Sequence, residues 1–458
     1  MHSEIYATLT HMLVTFEFYI VSIIFDFLEV LDQDLVDLLV LASGAFLLLV
    51  NLRLQMLLEQ ESEVADIDPE DELPRGHALR PRIQKTLQDY TDVELLGKTN
   101  FARQEIQTLI RFFDLPQRCY PDGFIRIESG TNTGNYYIFG PDEILIFVLI
   151  KVKSGHTNID IVDEYFGGDH RKWSIMFHWF LEYSAPYIQS VLEFPLLEKF
   201  RPLFESFAKN IAERVSKGFY VQPAEGAPRH WVEGLEYNDP ADPFRIFGFL
   251  DCSNFRTNTP RTGPSDRFEG AARFDDEYDV QRAVYSGWKK IHGVKVATIV
   301  MANGLQALYG PISARRNDID AVNTSNLDPF LREIQNGQQF RYCVFGDGAF
   351  KALSTADSTI RSYHEAVIGA PLDVNQIHEN LVMRKVRVEI EHVYGEITNL
   401  FDLTDKNNEW KHGNKHLPEK VKLLFFLYNC ITCCRGNSVS LKFDCGAPSL
   451  EQYLFPQE

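Results

Sequence analysis

The hydrophobic pattern changes character several times along the chain, and each change predicts a different kind of element. Apolar residues dominate Ile5 to Val30 but are interrupted by Glu17, Asp26 and Glu29, while Leu38 to Val50 carries no charge and continues through Arg53 to Leu58. That charge-free run falls short of the roughly 20 residues needed to cross a bilayer. Residues 1–58 therefore read first as a packed or oligomerising helical hairpin and second as a membrane segment at 38–58. No basic stretch of the secretory type precedes them. The acidic block Glu59 to Glu72 makes 59–82 a solvated linker.

Residues 83–240 read as a helical domain. Thr91 to Leu115 has Phe101, Ile106, Leu109, Ile110 and Phe113 on one side of a helix. Gly123 to Gly140 is a hairpin or loop in which Tyr136 to Ile138 form a short strand. Over 141–189 come a helix from Glu143 to Lys151, a second from Ile159 to Phe166, a break at Gly167 and Gly168, and a third from His170 to Phe180. That outline fits a helix-turn-helix, and it fits an ordinary helical subdomain equally well. In the first reading Arg171 and Lys172, with His170 and His178, face DNA.

From residue 241 the period shifts to that of strands. Phe244 to Leu250 is continuously apolar, as in a central strand buried on both faces, and the run ends in Asp251. Tyr342 to Phe345 repeats the pattern and leads through Gly346 to Asp347. Between them Tyr285 to Asn303 alternates, with His292, Val294, Val296 and Thr298 on one side and Lys295, Ala297 and Ile299 on the other. Asn303-Gly304 is a hairpin turn into Leu305 to Tyr309. Farther on, Val388, Val393, Tyr394, Ile397, Leu400 and Phe401 repeat at helical spacing and put Glu391 within or beside the apolar face.

A carboxylate at the end of a buried strand needs a cation, a basic side chain or backbone donors. Taken singly, each acid is an ordinary capping or salt-bridged group. Two strand-end aspartates with one inward glutamate make an all-oxygen site suited to Mg²⁺ or Mn²⁺.

Composition limits what surrounds such a site. The chain has 458 residues, 45% of them hydrophobic and 13% aromatic, enough for two or three globular domains. Its net charge of −19 argues against a generic nucleic-acid binder. Residues 1–90 hold 16 Asp and Glu against 5 Lys and Arg, so −11 falls there and −8 on the rest. Lys289, Lys290, His292, Arg315, Arg316 and Arg387 are the basic positions placed to contact a DNA backbone, although paired lysines are by default a solvated surface. Arg387 also stands one helical turn before Glu391 and is spaced to pair with it. Asp318 is a supporting ligand or a turn former. Seven cysteines without regular spacing fit a reducing compartment. The CITCC cluster, with Cys445, His412 or His416, reads as a buried helix before it reads as a zinc site.

The order LDCSNF, VFGDGAF and then N…R…E…YG resembles the DDE endonuclease domain of PIF/Harbinger-type transposases and their domesticated relatives, over Phe244 to Asn429. Asn380, Met383, Arg387, Glu391, Tyr394 and Gly395 match one family segment, and YSGWKKIHGVKV, GPISARRND and FFLYNC match others. Asn317 and Tyr428 stand where the family usually has His. The resemblance implies an RNase H-like mixed sheet flanked by helices, occupying 241–458. It makes Asp251, Asp347 and Glu391 both catalytic residues and ligands of two Mg²⁺ or Mn²⁺ ions, with Asp318 and Asn380 behind them. The implied reaction is phosphodiester hydrolysis on DNA with strand transfer, in the nucleus, by a homo-oligomer or with a separate Myb-like DNA-binding protein. The alternative is a domesticated, non-catalytic DNA- or protein-binding module. The separations, 347 − 251 = 96 and 391 − 347 = 44 residues, leave room for the remaining elements.

Overall fold

A strand whose residues 246–250 are all buried forms the middle of the sheet that organises the chain. The structure, a computed structural model, describes residues 82–455 apart from 130–135, 222–229, 235–243, 259–283, 336–340, 356, 367–370 and 405–415. The apolar N-terminal segment and most of the acidic linker lie outside the described residues.

The central strand, β5 (Phe244–Arg256), is longer than its apolar run. On one edge it pairs in parallel with β9 (Arg341–Phe345), and on the other it pairs antiparallel with β7 (Ile291–Met301). β9 stops opposite Phe249, whereas β7 continues to pair as far as Arg256. Burial accordingly drops from full to partial at Asp251. The expectation that Asp251 ends its strand is thus corrected: what ends there is the parallel neighbour. Gly248 sits in a tight part of the ladder, where a Cβ would come within 2.8 Å of the Val300 carbonyl.

β7 turns at Asn303-Gly304 into β8 (Gln306–Ser313), as the sequence predicts. Gly304 adopts φ +83° there and donates its N–H to the Met301 carbonyl at 2.9 Å. β10 (Ile360–Arg361) adds a parallel edge to β9, and β6 (Tyr285–Ser286) pairs with the start of β7. The strand order is therefore β8–β7–β5–β9–β10, a mixed sheet with three antiparallel strands followed by two parallel ones. Two small hairpins stand apart from it: β1 (Ile125–Glu128) with β2 (Tyr136–Phe139), and β3 (Phe219–Val221) with β4 (His230–Val232).

The helices cover this sheet and are continuous with it. The single helix expected over Thr91 to Leu115 is two, α1 (Asp92–Thr99) and α2 (Arg103–Phe112), because Asn100 takes a left-handed conformation at φ 67° and ends the first. α3 (Pro141–Ser154) and α4 (Asn158–Ile161) follow, then Gly167 and Gly168 at positive φ, then α5 (His170–Leu192). α6 (Phe204–Ser216) lies on β5, with Phe204 stacked on Phe247 at 3.9 Å between ring centroids. α9 (Leu417–Arg435), buried almost throughout, packs against both α5 and β8. Residues of α2, α5, β5 and α9 belong to one hydrophobic core.

α5 is longer than the expected third helix, and Trp173, Met176, Phe177, Phe180, Leu181, Ile188 and Leu192 are buried along it. Its exposed positions are Arg171, Lys172, Glu182, Pro186, Gln189 and Ser190. Basic side chains are thus confined to its first turn. His178, expected to face DNA, instead stacks on His416 of the α9 N-cap at 4.6 Å.

Candidate active site

Register brings the two aspartates together. Phe249 of β5 is paired with Phe345 of β9, and Asp251 and Asp347 each lie two residues farther on along these parallel neighbours. Asp347 leaves the strand as the N-cap of a short 3₁₀ turn, accepting from the Ala349 N–H at 2.9 Å. Its own carbonyl accepts from the Ser362 hydroxyl after β10, which fixes the loop on that side.

Asp251 is in an unfavourable place for a charge. Burial pushes its carboxyl up to about 7; Arg387 and the Cys252 N–H pull against the shift, and Asp347 and Asp318 add to it. Opposite Asp251 across the β5–β7 ladder stands Thr298, whose hydroxyl is hydrogen-bonded to Tyr394 of α8 (Val374–Leu400). The Tyr394 hydroxyl also reaches the Asp251 carbonyl at 3.4 Å. Burial holds that phenol well above its usual pKa, so it remains a donor. This contact ties the long helix to the strand at the candidate catalytic position.

Arg387, four residues before Glu391, closes the group. Its side chain is only 12% exposed and reaches the Asp251 carboxylate at 3.8 Å, the Glu391 carboxylate at 2.8 Å and the Tyr363 hydroxyl at 3.3 Å. Glu391 itself is 54% exposed. The expectation that it sits within or beside the apolar face is therefore corrected. Among the described side chains of α8, Val382, Met383, Val386, Val393 and Ile397 are the buried ones. At 3.6 residues per turn Glu391 lies about 140° around the helix from Val386. Three acids were expected to converge, and the structure brings together two, with the third attached to Asp251 only through Arg387.

A third aspartate lies near the pair without completing it. Asp318 opens α7 (Asp318–Ser325) behind the Asn317 N-cap, and its carboxylate accepts from Lys295 at 2.6 Å. Lys295 projects from the buried strand β7, is 6% exposed, and also donates to the Arg316 carbonyl at 2.6 Å. Asp318 is thus both a helix opener and a salt-bridged acid close enough to affect Asp251. The sequence signal for this pair is a lysine in an otherwise apolar strand, a residue that burial obliges to find a partner.

The other expected site residues are scattered. Asn380 clamps a loop, accepting from the His364 N–H at 2.9 Å and donating to its carbonyl at 2.8 Å, and does not belong to the acidic group. Lys289, Lys290, Arg315 and Arg316 are exposed, while His292 is half-buried with its ring 5.0 Å from that of Tyr285. Lys172 lies over the Tyr137 ring at 5.2 Å. Of the Cys cluster, Cys430 is buried and Cys433 and Cys434 are half-buried.

The donor set can be tested against the divalent ions expected here. Asp251 and Asp347 are hard oxygen donors at the ends of neighbouring strand runs, and burial, with a lesser contribution from like charge, raises the Asp251 pKa, a strain that a cation would relieve. Those two fit. Among the described residues, however, no three His, Cys, Asp or Glu side chains group closely enough to hold an ion. Glu391 does not complete the set while Arg387 holds it.

Comparison with known proteins agrees with this part of the chain. Residues 250–429 match the family model of the DDE superfamily endonucleases, so somewhat under half of the chain is similar to a nuclease domain. The match begins one residue before Asp251 and ends at Asn429 of α9. No curated protein and no solved structure matches.

Proposed function

We propose that the chain is a metal-dependent DNA endonuclease of the PIF/Harbinger transposase type, built on an RNase H-like sheet. The observation that carries this reading is the side-by-side position of Asp251 and Asp347 on parallel strands, inside the stretch that matches the endonuclease family. The strand order supports the RNase H-like assignment, since three antiparallel strands followed by two parallel ones is that architecture. Asp251 and Asp347 would hold the cation, and Glu391 would join them by exchanging its pairing with Arg387. Glu391 is the exposed end of that pair, and Arg387 keeps the Asp251 carboxylate and the Tyr363 hydroxyl as partners when Glu391 leaves it. Divalent ions bound there would activate the attacking water or 3′-hydroxyl and stabilise the leaving oxygen. Arg387 would remain beside Asp251, where it offsets carboxylate charge.

The second reading, a domesticated DNA- or protein-binding module without catalysis, draws support from the outward Glu391 and its tie to Arg387. Incubating purified full-length protein with labelled duplex DNA and Mn²⁺ or Mg²⁺ separates the two. Cleavage that disappears in Asp251→Asn and Asp347→Asn supports the first; equal cleavage by wild type and both variants overturns it.

A further inference from the structure

The end of the sheet remote from Asp251 carries an aromatic side chain that the fold does not use. Trp288 is 89% exposed, in the turn between β6 and β7. The turn is not loose: β6 pairs with β7 at Tyr285–His292 and Ser286–Ile291, and the buried Ser286 hydroxyl accepts from the Lys289 N–H at 3.3 Å. A large aromatic ring is therefore presented to solvent on an anchored support.

The register brings cations to the same end of the sheet. Arg256, at the end of β5, is paired with Gly293, and the Gly293 carbonyl accepts the Ala314 N–H at 3.1 Å, so Arg315 and Arg316 follow beside the same end of β7. Lys289 and Lys290 follow Trp288 directly within the turn. All five basic side chains are exposed. In a chain of net charge −19, five exposed cations thus collect at the end of β7 that carries the bare indole. His292 lies six residues along β7 from Thr298, the partner of Asp251, which is roughly 20 Å of strand.

We propose that this turn is a nucleobase-stacking site: Trp288 takes an unpaired base of the DNA, and Arg256, Lys289, Lys290, Arg315 and Arg316 hold the phosphates on either side. The assignment rests on the DNA-cutting function proposed above and adds the kind of DNA bound. Duplex DNA shows only base edges and backbone, whereas an opened or frayed strand exposes base faces that stack on aromatic rings, and a positive groove follows its phosphates. A protein partner fits less well, because lysine is depleted at protein–protein interfaces and two lysines follow the ring here.

The test uses full-length protein without divalent ions and two labelled DNAs of one sequence, one fully paired and one with a single-stranded tail carrying 2-aminopurine. Wild type is expected to prefer the tailed DNA and quench the 2-aminopurine. Trp288→Ala should weaken tailed-DNA binding about ten-fold, the loss of one base–aromatic stack, with duplex affinity and thermal stability unchanged. Trp288→Phe should restore most of both signals. Tail affinity and quenching that are equal in wild type and Trp288→Ala overturn the proposal even if the charge-reversed Lys289→Glu, Lys290→Glu variant loses binding. Wild type that binds neither DNA overturns it as well. A Trp288 effect in a protein that never cleaves with added metal upholds stacking and sinks only the nuclease reading.

Discussion

The two ends of β7 present opposite solutions to the same problem of placing charge. Near Thr298 the sheet buries acids: Asp251 is 18% exposed, beside Asp347, with Asp318 close by. Near His292 it exposes bases and an uncovered tryptophan. The first arrangement stores electrostatic strain that a cation relieves, and the second stores none, since exposed lysines and arginines remain hydrated. Chemistry is therefore expected at the strained end and capture of substrate at the relaxed one.

The sharpest way to break that contrast is to neutralise the buried end. Asp251→Asn and Asp347→Asn are each expected to lower DNA cleavage by about a hundred- to a thousand-fold or more, read from single-turnover rates with Mn²⁺, while the fold survives by circular dichroism.

The same aspartate should appear in stability. Its folded pKa is raised to about 7 from the ordinary value of 3.8. Its contribution is therefore fully present below pH 4, declines as the unfolded chain ionises and the folded one keeps its proton, and is lost once pH passes about 7. Asn imitates the protonated acid. In chelator, Asp251→Asn should then match wild type at pH 4 and exceed it at pH 8 by at most about 4 kcal/mol, three pKa units at 1.36 kcal/mol each. Denaturant melts at the two pH values measure this, and equal differences at both would mean that Asp251 carries no such strain.

At the exposed end the effects are smaller and depend on salt. Replacing Lys289 and Lys290 by Ala should reduce the slope of log affinity for duplex DNA against log salt by about 2, one for each phosphate that a lysine neutralises. Titrations at several salt concentrations decide it, and an unchanged slope would take both lysines off the DNA.

Smallest of all is the expected stability change for Glu391→Gln, within about 1 kcal/mol, because the Glu391 end of the pair is solvated and Arg387 keeps Asp251 and Tyr363 as partners. A much larger loss by denaturant melt would mean that Glu391 is structural.

Much of the sheet is legible from pattern alone. The continuous run before Asp251, the alternation of β7 and the Asn303-Gly304 turn all translate directly into strands, because burial on one or both faces dictates those periods. Two features are not legible. The end of the apolar run at Asp251 marks where β9 stops, a fact about a neighbour almost a hundred residues away in the chain. Glu391 escapes the pattern because spacing counts Val388 among the inward positions; the residues actually buried on α8 define a face centred near Val386 and turn Glu391 outward. Asp318 stands out in the sequence as a supporting ligand or turn former, whereas Lys295 enters only as a strand position, and their pairing depends on the packing of α7 on β7, which no local pattern records.

One small interaction reaches beyond the site. The Asn429 side-chain amide, deep within α9, accepts from the Gln306 N–H at 3.0 Å and donates to the Gln306 carbonyl at 2.8 Å, behaving like one more strand at the hairpin's edge. The endonuclease-like stretch stops at that asparagine. A fragment trimmed to residues 250–429 would sever the helix partway and lay bare the greasy faces it shares with α5, so it is expected to aggregate on expression. Anyone transplanting this catalytic cassette into another protein would have to carry the helical half along with it.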